Sequence, residues 1–446
     1  MYTNVDKVAI PVFRPRLHQR EKGGCIALLK TLLTWFTPLF MLLRSAPSRQ
    51  MTNKPLSDYT DEYFLYPIDK QQFKSSVTRI FLSRNKTTDE RICLKVWQTS
   101  TDDFNLYRAN SPELRNRYVY EGLHRNRRFV KDVYLGIAPI IVNERDIRQR
   151  YVRLGQLIED PAEKDIKPGV EYALVMRYLE EDWRLDYQLR QGGLNTRTDM
   201  KFLAQEIVKI HNKQSALSTK HKGTPDDILA KLDLNLQMLQ KVLSYPEANQ
   251  LTHYQEYHDM MEVIRSAGKK YKELFELRQK EGHVRYCHGD LKTANLWVQT
   301  WLEAQSDTGF RRRRRLYVLD CVDFDRPEFC YIDTLSDIAM LAIDIQMYIT
   351  NWSDLEKDKG RTLVRLFLDT YLRNAEEKTD VAWLLLEYYL TEKAIVFACM
   401  SVLYDNLPTS VAEKYLDIGL SYMQKLKRRL HSSGKLSSNK KELSTV

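Results

Sequence analysis

Eight consecutive residues, His288-Gly289-Asp290-Leu291-Lys292-Thr293-Ala294-Asn295, constrain this chain more than any other stretch. A carboxylate and a carboxamide stand five places apart, with an imidazole two places before the carboxylate. Asp and Asn bond their own backbone in turns, so the octet alone also fits an ordinary loop. If the two side chains serve one ligand, the loop must be rigid and held between short strands. The carboxylate can then accept a hydroxyl proton while the amide oxygen holds a hard cation. Asp290 is the expected base and Asn295 the expected metal ligand.

The flanking sequence supplies further parts. Leu296-Trp297-Val298 and Arg315-Leu316-Tyr317-Val318-Leu319 are apolar runs that read as a β-hairpin with a long loop. The second run ends in Asp320, with Asp323 and Asp325 close behind. Such closely spaced carboxylates repel unless a cation sits among them. A solvated acidic turn is the plain alternative to a Mg²⁺ site, and Asp320, at the strand end, is favoured over Asp323 as the ligand. Ile338, Leu341, Ala342 and Ile345 recur at helical spacing. Asp333 and Asp337 are expected to be structural supports.

Upstream, Ile92-Cys93-Leu94-Lys95-Val96 places a lysine in an apolar strand, where it must find a partner or reach water. Ser111-Pro112 then signals a helix start. Leu114, Tyr118 and Glu121 share a face, so Glu121 is expected to point inward and pair with Lys95. The alternative is a pairing with Arg117 or Arg125, four residues to either side. Tyr172 to Met176 reads as a buried strand, and the backbone of Tyr178, Leu179 and Glu180 is placed where a hinge would meet an adenine. No glycine occurs between Gly24 and Gly122, so no glycine-rich loop covers the phosphates. Lys74-Ser75-Ser76 is the candidate substitute.

The order Lys95, Glu121, Tyr178–Glu180, Asp290, Asn295, Asp320 follows the parts of a kinase site. It resembles the aminoglycoside-phosphotransferase branch of protein-kinase-like enzymes, where His-Gly-Asp replaces His-Arg-Asp. Within that branch it is similar to the amino-terminal domain of bacterial proteins that join such a domain to a P-loop ATPase. The resemblance rests on the octet, Asp320-Cys321-Val322-Asp323-Phe324, Ile332-Asp333-Thr334-Leu335-Ser336-Asp337-Ile338-Ala339-Met340-Leu341, Asn126-Arg127-Arg128-Phe129 and Asp132-Val133-Tyr134-Leu135-Gly136. It spans roughly residues 60–430. Asp323 stands where that group carries glutamate, and no P-loop half is present. The resemblance implies a two-lobed α+β fold, with an antiparallel sheet plus helix and a largely helical second lobe. It also implies ATP and Mg²⁺ as cofactors and transfer of phosphate to a hydroxyl of a small molecule. The rival expectation is a catalytically weak, kinase-like protein that binds a nucleotide or a partner.

A chain of 446 residues, 43% of them hydrophobic, can bury two lobes. The expected limits are an extension over 1–55, a first lobe over 56–180, a second over 181–430 and a disordered tail over 431–446. Six cysteines form no Cys-x-x-Cys pair, which argues against a zinc site or a disulfide framework. The net charge of +10 does not by itself imply nucleic acid, and Arg311 to Arg315 are expected in a solvated hairpin loop. The apolar segment 25–43, after several basic residues, approaches the length of a membrane span. A cytoplasmic chain with possible membrane contact through this segment is expected. Asp344, Glu387 and Glu392, in the helical part, are read as solvated faces.

Overall fold

A computed structural model describes residues 63–65, 73–74, 78–85, 91–97, 109–141, 152–214, 222–305, 309–323, 327–351, 357–377 and 379–442. The first part of the chain is mostly strand: β1 (Tyr63–Leu65), β2 (Phe73–Lys74), β3 (Thr78–Asn85) and β4 (Arg91–Trp97). Helix α1 (Pro112–Asn126) follows, then β5 (Tyr134–Ile141), β6 (Val152–Leu154) and β7 (Tyr172–Arg177). These strands form one antiparallel sheet in the order β1-β6-β5-β7-β4-β3-β2, and β1 also pairs with β3. The Ser111 hydroxyl accepts from Leu114 N–H at 3.2 Å and Pro112 opens α1, so the predicted start signal is used.

The remainder is largely helical. The helices α2 (Leu185–Arg190), α3 (Arg197–Lys213), α4 (Pro225–Leu243), α5 (Tyr254–Lys270) and α6 (Lys272–Lys280) precede the octet. Around it lie β8 (Val284–Tyr286), β9 (Leu296–Gln305), β10 (Gly309–Val318) and β11 (Tyr331–Asp333). The chain closes with α7 (Thr334–Asn351), α8 (Lys357–Asn374), α9 (Thr379–Leu403) and α10 (Thr409–Glu442). Capping boxes at Thr196/Asp199 and Thr224/Asp227 start α3 and α4. The architecture is the expected α+β one: an antiparallel sheet with one helix, then a largely helical region built on a single large apolar core.

Several expectations are corrected. The Arg311–Arg315 run is not a loop but the middle of β10, in register with β9. Successive side chains alternate across a strand. Arg313 and Arg315 meet Glu303 and Asp132, while Arg314 meets Asp199 on the other side and lies over the Phe202 ring. Five like charges therefore become tolerable in a strand because carboxylates neutralise three of them. Asp344, Glu387 and Glu392 are buried rather than solvated. Residues 431–442, expected to lack structure, continue α10. The expected membrane contact is also overturned for the described residues, none of whose helices is long and apolar enough to cross a membrane. Segment 25–43, Ser75 and Ser76 lie outside the described residues.

Candidate active site

The octet is held from three sides. Strand β8 pairs with β11 and runs straight into it. Asp337, in the first turn of α7, accepts the backbone N–H groups of His288 and Gly289, both at 3.0 Å. Its other neighbour is His211 of α3, 3.2 Å away, whose second ring nitrogen meets the Tyr371 hydroxyl at 2.7 Å. Burial pushes the Asp337 carboxyl up, but the His211 hydrogen bond and charge outweigh it and leave it below the ordinary range. Asp344 of α7 anchors the far end by accepting from Thr293 N–H at 2.7 Å and from its hydroxyl at 2.5 Å. Asp333, paired with Arg278 through two nitrogens, fixes the turn into α7. Asp333 and Asp337 thus sit beneath the loop rather than in its cavity.

Two backbone features shape the loop. Gly289 has φ +80°, and a Cβ there would stand 2.4 Å from the Phe329 carbonyl oxygen, so only glycine fits. Asp320 has φ +62°, uncommon for a residue with a side chain. Its N–H donates to the Tyr134 hydroxyl at 2.8 Å, and the next N–H, that of Cys321, donates to Asn126 Oδ1 at 2.9 Å. His288 donates from Nε2 to the Leu319 carbonyl at 2.9 Å, tying octet to strand end. Burial draws the His288 imidazole downward, so it serves as a neutral strut.

The polar groups converge. Asn295 Nδ2 donates to the Asp290 carbonyl at 2.8 Å and to Asp290 Oδ2 at 3.1 Å. Lys292 Nζ is 2.9 Å from the same Oδ2. Lys95, 5% exposed on β4, places Nζ 2.5 Å from Asp320 Oδ1 and 2.6 Å from Asp323 Oδ2. Two of the three acidic positions foreseen after β10, Asp320 and Asp323, thus do hold a cation, and it is the lysine; Asp325 lies outside the described residues. Asp323 is fully enclosed, and burial raises its carboxyl to about 6 despite Lys95. In Asp320, burial is outweighed by Lys95, and the carboxyl is held below its usual range.

Glu121 is not the partner of Lys95. It accepts from Arg117 at 2.8 Å and from Arg125, the alternative weighed from the sequence. The inward face of α1 is instead carried by Arg115, Val119, Gly122 and Asn126. A Cβ at Gly122 would lie 3.2 Å from Asp323 Cβ, so the helix approaches the acidic segment through its glycine and turns Glu121 aside. Leu179 is partly buried, Glu180 pairs with Arg91, and the Arg91 guanidinium stacks 4.2 Å from the Tyr178 ring centroid.

A cavity of about 590 Å³ joins these groups. Lys95, Asp290, Asp320 and Asp323 line one side and residues of α4, α7 and α9 the other; Tyr178–Glu180 lie outside its described lining. Oxygen donors from Asn295, Asp320 and Asp323 suit a hard cation such as Mg²⁺. His211, Cys287 and Asp337 also cluster within metal-ligand range. Burial there pushes the Cys287 thiol well up, and the other two are already hydrogen-bonded, so this cluster is a support. Asn126, Tyr134 and His211 were not foreseen as parts of the site. The first two did fall within segments that carried the family resemblance.

No family model and no curated protein matches the chain. Among solved structures it is similar to a Plasmodium vivax ethanolamine kinase, at 12% identity over 84% of each chain with a TM-score of 0.39. A glucosamine kinase in complex with glucosamine, ADP and inorganic phosphate is similar at 13% identity, over 81% of this chain and 96% of that one, with a TM-score of 0.40. Likenesses this distant carry no statement of activity for this chain.

Proposed function

We propose that the chain is an ATP- and Mg²⁺-dependent phosphotransferase acting on a hydroxyl of a small molecule. The observation that carries this reading is the convergence of Lys95, Asp290 and Asp320 on one cavity, with Asn295 bonded to Asp290 at its edge. Lys95 would neutralise the nucleotide phosphates. Asn295 and Asp320 would hold Mg²⁺, with Asp323 behind them, and the ion would supply charge neutralisation at the phosphates. Asp290 would orient the acceptor hydroxyl and take its proton. As the hydroxyl oxygen bonds to the γ-phosphorus, the bond from that phosphorus to ADP breaks. Little covalent chemistry is asked of the protein in such transfers beyond positioning and electrostatics.

The test is ADP formation from ATP across a panel of hydroxylated metabolites, comparing the wild type with Asp290→Ala. The reading expects acceptor-dependent ADP release, reduced about 10²-fold or more in the variant, the scale of a positioned acid–base group. Equal release by both proteins would remove Asp290 from the chemistry. One observation favours the second reading, a nucleotide-binding protein with weak or no catalysis: Lys95 is bonded to Asp320 and Asp323 while Glu121 is engaged elsewhere. ATP binding without any acceptor-dependent release would support it.

A further inference from the structure

The wall of the cavity away from Lys95 is unusually rich in charge, and most of that charge is matched. Asp344 accepts from Thr293 and from the Tyr415 hydroxyl at 3.2 Å. Glu392 accepts from Asn235 at 2.8 Å and lies 2.9 Å from Lys393 Nζ. Arg190 donates to the Tyr348 hydroxyl at 3.1 Å. Lys231 of α4 is the exception. It lines the cavity and forms no ion pair with the described residues; its amine stands 6.0 Å from the Phe329 ring centroid. Asp405, also on the wall, is exposed and can be solvated.

We propose that Lys231 receives an anionic group, a carboxylate or a phosphate, of the hydroxylated acceptor, an assignment that rests on the phosphotransferase reading above. An unmatched ammonium inside a protein cavity is costly unless a counter-charge arrives. Burial and then the nearby Lys393 draw the Lys231 amine down to about 8, although Glu392 and Glu328 pull the other way without pairing with it. Phe329 adjoins Lys231 through its ring and Gly289 through its carbonyl, and Lys231 and Asp290 line the same cavity, so an anion at Lys231 would be carried on the molecule whose hydroxyl meets Asp290.

The experiment is thermal stability of the full chain in MgADP, with D-gluconate or glycerol 3-phosphate in one arm and choline or galactosamine in the other. The wild type is expected to gain stability from at least one anion and from neither amine; which anion responds separates carboxylate from phosphate. Lys231→Met should raise the half-saturating anion concentration about tenfold or more, the scale of one charge-assisted hydrogen bond, while Lys231→Arg keeps it near the wild-type value. Stabilisation by the amines alone, no response to either anion, or an unchanged anion response in Lys231→Met would overturn the assignment. So would loss of the MgADP response itself in Lys231→Met, which would make the lysine a nucleotide contact. A wild type indifferent to MgADP that still binds anions through Lys231 would sink the phosphotransferase reading and leave the anion site standing.

Discussion

Lys95 Nζ stands 2.5 Å from Asp320 Oδ1, and this ion pair ties the antiparallel sheet to the segment that follows the β9–β10 hairpin. With Asp323 at 2.6 Å on its other side, the lysine bridges two carboxylates.

Lys95→Met should therefore damage stability as well as function. Breaking a buried pair costs about 3–5 kcal/mol, and the half-exposed Asp320 favours the lower end. Denaturant unfolding at pH 7 checks this. The loss should shrink as pH falls through about 6, where Asp323 takes up its proton, and further once Asp320, held below its usual range, follows.

Asp323→Asn gives a signed pH test. The folded-state carboxyl lies at about 6, above its ordinary 3.8. In that window the folded protein holds the proton more tightly than the unfolded chain does. Wild-type stability from this group is therefore present at low pH and lost as pH rises through about 6. Asparagine does not titrate, so the variant should gain on the wild type between pH 4 and pH 6. The gap from 3.8 to about 6 is worth at most about 3 kcal/mol. Unfolding free energies at pH 4.5 and pH 7 decide it; a difference between the proteins that does not change with pH contradicts the raised value.

Neighbouring positions on α1 should behave oppositely. Glu121→Ala removes the pairing with the half-exposed Arg117 and the part-buried Arg125, and helix pairs of this spacing contribute about 0.3–0.5 kcal/mol each. Gly122→Val places a branched Cβ against Asp323. A shift near 1 Å at a reacting site can cost about 10²-fold in rate. ADP-release assays should show Gly122→Val far below Glu121→Ala; the reverse order would return Glu121 to the site.

Gly289→Ala should destabilise the loop. The positive φ alone costs about 1–3 kcal/mol for a residue with a Cβ, and here the added carbon meets a backbone carbonyl at 2.4 Å. A melting temperature lowered by several degrees is expected; an unchanged one would mean that the turn relaxes freely.

What was legible in the sequence was the local chemistry. The octet, the lysine in an apolar strand, the capped α1 and the strand ending at Asp320 all follow from residue type and spacing. Relations across the chain were not. Helical spacing put Glu121 on the face of Leu114 and Tyr118, but the inward face is set by Gly122 and Asn126 meeting residues two hundred positions away. The arginine run read as a repelling block because its partners Asp132, Asp199 and Glu303 come from three separate segments. The acids of α7 and α9 read as solvated because the partners of Asp344 and Glu392, Thr293 and Asn235, are distant in sequence.

The central claim is that Lys95, Asn295 and Asp320 form a metal–nucleotide site, and calorimetric titration of the full chain with ATP tests it most directly. Binding in Mg²⁺ that falls at least tenfold when the metal is chelated, and that falls likewise in Asp320→Asn with Mg²⁺ present, is the predicted result. ATP binding that ignores both the chelator and the Asp320 substitution would contradict it.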